Sequence, residues 1–425
     1  MYKLSQYNNR ISISDKSDII YNAMTDRFVA IRKTLNLNEA LKMSDTLRNK
    51  LLSCGIFVNK GFCEREEVIS KYKGAVLAEQ SFTITVNPTL RCNFNCWYCY
   101  ESHEGTPIMS TVLLNNIKNL VDKVLLRVQA LHLSFFGGEP LLEFERIVRP
   151  MIEYAEKATL DAGKKLTISF TTNGFLLTDN MIEYLSRHEV SSMQITLDGG
   201  REFHNKTRKS SVKDSFNTIT ENIRRLLNNG VPVVLRINAT PENIQSCSDI
   251  VEWIDTLTTH EKTQLSVNVQ KVWQSEMTED FQFNIDTLLD EICNINVFAY
   301  QAYSDFFRSM CYADRANTLV VNSDGKIFKC TAVDFDKEKG VSHILSETLL
   351  EDLRASVDKK LEKRFSNKSC VSCSVFPLCM GGCNKTLEGQ ENVDYCIYNT
   401  PEKKSQLVMS IIKDRVRRDM FNNKQ

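Results

Sequence analysis

The chain has 425 residues, 42% of them apolar, and its 53 basic and 53 acidic side chains cancel. That length predicts two or three domains with sizeable cores. The zero net charge argues against a broad nucleic-acid-binding face and against charge-driven attachment to anionic lipid. Residues 1–16 have no apolar core of signal-peptide length, and no run reaches the roughly eighteen apolar residues of a membrane span. The chain is therefore expected to be cytoplasmic, with no membrane and no nucleic-acid partner. Fourteen cysteines in such a chain read as metal ligands or redox groups, because the cytosol keeps thiols reduced. Four of them, Cys54, Cys63, Cys247 and Cys293, stand apart and are expected to be buried small hydrophobes.

Residues 1–80 read as a separate N-terminal leader of small α+β type. Ile11–Ser14, Asp18–Tyr21 and Arg27–Ile31 are expected strands, a helical stretch covers residues 38–53, and residues 55–58 form a further strand. Residues 81–280 alternate strand and helix, which predicts a parallel βα sheet. The expected strands are Phe82–Asn87, Leu131–Phe136, Leu166–Thr172, Met193–Asp198, Val233–Asn238 and Leu265–Val269. Apolar residues at helical spacing mark Val112–Val128, Ile147–Ala158 and Phe216–Leu227. Residues 281–310 are an expected helical bridge, and residues 311–400 a cysteine-rich module. Within 401–425, Lys403–Phe421 is an expected helix that docks through Leu407, Val408, Ile411, Ile412 and Val416.

Cys92, Cys96 and Cys99 form a C-x3-C-x2-C run directly after the first strand. Three thiolates can hold three irons of a [4Fe–4S] cube and leave the fourth iron open to a ligand. A structural zinc site completed by a distant ligand is the alternative. Gly137-Gly138-Glu139-Pro140 follows the second strand and Thr172-Asn173-Gly174 the third. Asp198, Arg236 and Asn238 stand near the ends of the fourth and fifth. In barrels, reacting groups gather at the C-terminal ends of the strands, so these segments share one rim. Asp198-Gly199 also reads as a plain turn. Further on come Cys311, Gly325-x4-Cys330 around an expected hairpin turn at 322–325, then Cys370-x2-Cys373-x5-Cys379-x3-Cys383, and Cys396. A pair of zinc knuckles is the alternative for this module.

The C-x3-C-x2-C run and the Gly-Gly-Glu-Pro segment resemble the signatures of the radical S-adenosylmethionine (radical SAM) enzymes, and the seven-cysteine order resembles their SPASM domain. The resemblance implies a partial (β/α)6 TIM-like barrel between an N-terminal winged-helix-like region and a C-terminal SPASM domain. It also implies three [4Fe–4S] clusters and S-adenosylmethionine as cofactors. Cys92, Cys96 and Cys99 would hold the cluster that S-adenosylmethionine chelates. Tyr98 would stand beside the adenine, and Gly137, Gly138, Glu139 and Pro140 by the methionyl ammonium. Asn173, Asp198 and Asn238 would meet the ribose, and Arg236 the methionyl carboxylate. Cys370, Cys373, Cys379 and Cys396 would complete one auxiliary cluster. Cys311, Cys330 and Cys383 would hold another, whose fourth position is an open iron, a non-cysteine ligand or Cys293.

The implied reaction cleaves S-adenosylmethionine to a 5′-deoxyadenosyl radical, which takes hydrogen from a ribosomally made precursor peptide. The product would be a thioether, C–C or C–O crosslink or another oxidised residue. A flavodoxin- or ferredoxin-like protein would supply single electrons. Asp334 and Asp198 are the candidate bases. The winged-helix-like region would hold the precursor's leader by strand addition. Two departures separate the chain from sulfatase-maturing relatives: residues 312–329 contain no cysteine, and Thr331 stands where those enzymes carry an aspartate. Formylglycine formation remains the alternative activity, and a non-catalytic metal-binding or electron-transfer protein the alternative class.

Overall fold

Alternating apolar and polar residues build the central sheet. In β2 (Ala130–Phe135) every second residue, Leu131, Leu133 and Phe135, is buried against helices. His132 and Ser134 face the other way, as the two-residue period of a strand requires. The same pattern runs through β1 (Ser81–Val86), β3 (Lys165–Thr172), β4 (Val190–Leu197), β5 (Val233–Ala239) and β6 (Leu265–Lys271). These six strands are parallel neighbours in chain order, in a register that begins with Ser81 opposite Ala130. Helices cover the apolar face. Thr111–Leu125 is capped by Ser110, whose side chain accepts from the Leu113 N–H, and it buries Leu114, Ile117, Leu120, Val121 and Val124. Asp214 caps Ser215–Asn228 in the same way.

The computed structural model describes residues 1–78, 80–103, 108–209, 214–301, 311–383 and 395–422. The chain divides into two units. One comprises Met1–Leu77, Tyr303–Arg315 and Ala355–Arg415; the other comprises Ala78–Ala302, Ala316–Arg354 and Val416–Gln425.

The second unit carries the sheet, which has ten strands among the described residues. Two parallel strands flank the six expected ones. β7 (Phe298–Tyr300) pairs with β6, and β8 (Thr318–Val321) pairs with β1. β8 also pairs antiparallel with β9 (Lys326–Phe328), which closes the expected hairpin, and β9 pairs with β10 (Ser342–His343). The expected bridge thus differs from the structure. After the helix Glu279–Asn294 the chain enters the sheet at β7; residues 302–310 lie outside the described residues. A three-residue strand is too short to leave a readable period.

The first unit contains the antiparallel strands Asn8–Ser12, Ser17–Asn22 and Arg27–Arg32, with Ser17–Asn22 in the middle. The helices Leu37–Met43, Asp45–Ser53 and Glu64–Val76 follow. Its larger core is shared between distant segments. Tyr7, Tyr21, Val68 and Tyr72 pack with Val357, Leu361, Phe376, Val408 and Ile411. The N-terminal region is therefore built into the same core as residues 355–415. Its helix Glu64–Val76 buries Val68, Tyr72 and Val76, a narrow apolar stripe among charges. The C-terminal helix runs Pro401–Asn422 and buries Leu407, Val408, Ile411 and Ile412, as expected; Val416 stays exposed.

Of the four isolated cysteines, Cys54 and Cys247 are buried and Cys293 half-buried against the barrel core. Cys63 departs from expectation. It is exposed, because it occupies the N-cap position of Glu64–Val76 and points away from the core. Among the described residues no helix is long and apolar enough to cross a membrane.

Candidate active site

The chain leaving β1 turns at Pro88–Arg91 and delivers Cys92, Cys96 and Cys99 to one wall of a cavity of about 210 Å3. The other walls come from the ends of the neighbouring strands: Gly137 and Gly138 after β2, Thr171–Asn173 at β3, Thr196 on β4, Arg236 and Asn238 on β5, and Lys271 on β6. The C-terminal rim of the sheet therefore does collect the motifs read from the sequence.

Two glycines let the second loop pack under the first. Gly137 has φ +114°, a left-handed conformation that costs glycine little. A Cβ on Gly138 would lie 2.3 Å from the Leu90 carbonyl oxygen and 2.4 Å from that of Arg91. Backbone bonds lock this contact, from Gly138 N–H to Thr89 O (3.2 Å) and from Glu139 N–H to Arg91 O (2.9 Å). Both partners of the clash are backbone, so Gly138→Ala must displace the segment that feeds Cys92. Its expected result is less iron bound at the Cys92, Cys96 and Cys99 site than in the parent, read by iron analysis after anaerobic reconstitution.

Glu139 and Pro140 stand behind the cavity wall, outside its lining. Glu139 is fully buried and accepts from Thr172 Oγ1 (2.6 Å), Asn173 N–H (2.8 Å) and Leu141 N–H (3.0 Å). Burial raises its pKa against those three bonds. Its side chain ties the second loop to the end of β3. Asn173 lies in the wall and donates from Nδ2 to Asn93 Oδ1 (2.8 Å), so it braces the cysteine loop.

Five side chains form a buried network, of which Arg208 alone carries no signal in the sequence. Arg208 Nε donates to Asp198 Oδ2 at 2.6 Å, and its Nη2 donates to the Tyr98 hydroxyl at 3.0 Å. That hydroxyl donates to Asp198 Oδ2 at 2.6 Å and accepts from Asn238 Nδ2 at 3.1 Å. Asn238 in turn accepts from Arg236 Nε at 2.8 Å. Tyr98, Arg208, Arg236 and Asn238 line the cavity, whereas Asp198 lies behind it with no exposure. Its carboxylate acts as the counter-ion of Arg208. The buried guanidinium is held strongly protonated; burial opposes the charge, and Asp198 outweighs it. Burial also lowers the pKa of Arg236. Arg208 sits in a short strand, Arg208–Lys209, that pairs with Asn95–Cys96; only that long-range pairing reveals it.

Asp334 lies apart from the cavity lining, beside the segment that follows Cys99. It accepts from Ser102 Oγ at 3.5 Å and pairs with Lys337 Nζ at 2.9 Å. Partial burial raises its pKa, but Lys337 and the Asp336 N–H pull it below the usual carboxylate range. Glu101 was missed by the sequence reading. It lines the cavity at 7% exposure, and its Oε2 has no hydrogen-bond partner. Burial pushes its pKa up to about 7.

The thiols suit a multi-iron group. Burial pushes Cys92 up to about 12, with the Phe94 N–H and Arg208 pulling against it, and Cys96 and Cys99 are raised as well. Buried thiols of this kind ionise when a cation binds them and takes the place of the proton. Among the described residues no three His, Cys, Asp or Glu side chains converge tightly enough to hold a single metal ion. Three thiols delivered by one loop to a shared cavity can each bind one iron of a cluster.

A second set lies in the first unit. Cys370, Cys373, Cys379 and Cys396 line one small cavity, closed by Val375, Phe376, Gly381 and Tyr398. Burial pushes Cys370 up to about 11 and Cys379 up to about 12. The remaining three cysteines are divided: Cys311 and Cys383 fall in the first unit, Cys330 in the second. Cys330 is half-buried beside Leu90, Phe328, Val333 and Phe335, and its Sγ accepts from the Ala332 N–H at 3.3 Å. Cys293 is a core residue of the second unit, its thiol directed at Ala299 O.

Residues 86–254 match the family model of the radical SAM superfamily. The cysteine-type anaerobic sulfatase-maturating enzyme of Clostridium novyi is 24% identical over 359 residues, which cover 73% of this chain and 89% of that enzyme. The radical SAM cyclopropyl synthase TigE of Paramaledivibacter caminithermalis is 28% identical over 158 residues, but the chain spans only 32% of its length. Among solved structures, anSMEcpe with bound AdoMet superposes with a TM-score of 0.63 at 19% identity, over 81% of this chain and 99% of that one. SuiB of Streptococcus suis bound to the precursor peptide SuiA superposes with a TM-score of 0.58 at 14% identity, over 93% of this chain and 98% of that one. At those identities the likeness is one of fold. The three-cysteine rim, the parallel sheet and the family match together show that the chain carries a radical SAM domain of the radical SAM superfamily, followed by a cysteine-rich C-terminal segment that fits the SPASM pattern.

Proposed function

We propose that the protein is a radical SAM maturase that modifies a ribosomally made peptide and installs a crosslink or another oxidised residue. The observation that carries this reading is the pair of cysteine-lined cavities, one with three thiols on an open rim and one with four thiols in a closed pocket. When bound, a [4Fe–4S] cluster with S-adenosylmethionine supplies one-electron cleavage of the sulfonium C–S bond and so a 5′-deoxyadenosyl radical. The residues of this chain position that chemistry. Gly137 and Gly138 would give backbone access, Tyr98, Asn173 and Asn238 would surround the nucleoside, and Arg236 would meet the carboxylate. Arg208 adds a fixed positive charge beside the thiolates. Of the two carboxylates expected as a base, Asp334 keeps contact with solvent and Lys337 keeps it ionised, whereas Asp198 is committed to Arg208.

The four-cysteine set would hold one auxiliary cluster, and Cys311, Cys330 and Cys383 are the expected ligands of another; such clusters would supply a one-electron acceptor for the substrate radical. An external flavodoxin- or ferredoxin-like protein supplies the first electron. The outer strands of the three-stranded N-terminal sheet are the place for a leader peptide to add by backbone pairing. Formylglycine formation is the second reading, favoured by the long match to the sulfatase-maturating enzyme of Clostridium novyi.

The experiment is an anaerobic reconstitution with iron and sulfide, followed by reduction and addition of S-adenosylmethionine. About twelve irons with release of 5′-deoxyadenosine are expected. A genomically adjacent short peptide should then lose two hydrogens per crosslink by mass spectrometry, and a sulfatase peptide should stay unchanged. Bound zinc with no cleavage overturns the reading, and conversion of the sulfatase peptide alone favours the second.

A further inference from the structure

The four-cysteine cavity is bracketed by two guanidinium groups. Arg364 is 2% exposed. Its Nη1 donates to the carbonyl of Met380, the residue after Cys379, at 2.5 Å. The turn there is tight, because Met380 and Gly381 both have positive φ and a Cβ on Gly381 would meet Arg364 Cγ at 3.0 Å. Its Nη2 pairs with Asp314 at 3.2 Å, and its guanidinium lies 5.6 Å from the centre of the Tyr72 ring. Tyr72 donates its hydroxyl to the same Asp314 at 2.5 Å. From another direction, Arg65 donates from Nη1 to the Cys370 carbonyl at 3.0 Å and from Nη2 to Phe365 O at 3.1 Å, over the Phe376 ring. Arg65 and Tyr72 are seven residues apart on the helix Glu64–Val76 and so share one face.

The trio Arg364, Asp314 and Tyr72 repeats the residue types of Arg208, Asp198 and Tyr98 beside the three-cysteine set. In each, a buried carboxylate pairs with a buried arginine and accepts from a tyrosine hydroxyl. A buried charge is tolerated only with such partners. A guanidinium also has a fixed fork, so it can satisfy a carboxylate and a cysteine-loop carbonyl at once.

Resting on the reading that Cys370, Cys373, Cys379 and Cys396 hold an iron–sulfur cluster, we propose that Arg364 and Arg65 raise that cluster's reduction potential, with Tyr72 and Asp314 positioning Arg364. Reduction adds one negative charge to the cluster, and nearby positive charge in a medium of low dielectric stabilises the reduced form. Asp314 takes the far nitrogen of Arg364, so the pair presents its positive end to the Cys379 loop. The N-terminal region thereby contributes one of the two arginines and the tyrosine to the electron-accepting site.

The test is a redox titration of the full chain in a Cys92→Ala, Cys96→Ala, Cys99→Ala background, followed by electron paramagnetic resonance. A further Cys373→Ala change identifies the wave of the four-cysteine cluster. Arg364→Met and Arg65→Met should each move that wave to a more negative potential, and Tyr72→Phe should move it less in the same direction. Arg364→Lys should restore most of the shift, which a packing defect would not allow. If Arg364→Met takes up too little iron, Arg65→Met, at a half-buried position, carries the test. A wave unmoved in the Met variants at full iron content overturns the inference. If no wave disappears with Cys373→Ala, the four-cysteine cluster itself is refuted.

Discussion

A chain with Cys92, Cys96 and Cys99 all changed to Ala is expected to cleave no S-adenosylmethionine and to keep about eight of about twelve irons. The reasoning is geometric. The three thiols share one cavity wall at the end of β1, and the four-cysteine cavity is formed by a separate stretch of chain in the other unit. Loss of one set therefore leaves the other's ligands and packing in place. Iron analysis and chromatographic detection of 5′-deoxyadenosine read the two quantities. Surviving cleavage refutes the assignment of the radical cluster to these cysteines, and loss of all iron refutes the independence of the two sets.

Arg208→Met is expected to be the most damaging change that touches no cysteine. Its side chain is 8% exposed and that of Asp198 1%. Removing the guanidinium strands a carboxylate that keeps only the Tyr98 hydroxyl as a side-chain donor. Breaking one side of a buried ion pair costs about 3–5 kcal/mol, read by denaturant unfolding of the metal-free protein. The double variant Arg208→Met, Asp198→Asn should recover much of that loss, because no isolated charge remains. Its stability should return while radical-cluster chemistry stays impaired, which separates the folding role of the pair from its electrostatic role beside the thiols. A single variant as stable as the parent refutes the ion pair as a structural element.

How much was legible in advance follows from the range of each interaction. Strands β1–β6 were readable because a half-polar parallel strand carries its own two-residue period over six to eight residues. The cysteine runs were readable because ligands on one loop must recur at short fixed spacings. The Gly-Gly-Glu-Pro segment was visible, but its use was not. Gly138 packs on the carbonyls that precede Cys92, and Glu139 braces β3 from behind the cavity. Those contacts exist only once β2 lies beside β1 and β3.

The tertiary structure decided what depends on partners far apart in sequence. Arg208 is one arginine among many until the pairing of Arg208–Lys209 with Asn95–Cys96 sets it against Asp198 and Tyr98. β7 and β8 are three and four residues long, too short to announce themselves, and only the open edges of a six-stranded sheet give them a place. The N-terminal region read as a separate leader because its strands are local. It joins residues 355–415 because Tyr7, Tyr21, Val68 and Tyr72 share one core with apolar side chains some three hundred residues away. Local periodicity and ligand spacing thus determined the elements and the cysteine sets, whereas burial of charge and the sharing of a core, which are properties of the folded chain alone, decided which residues surround them.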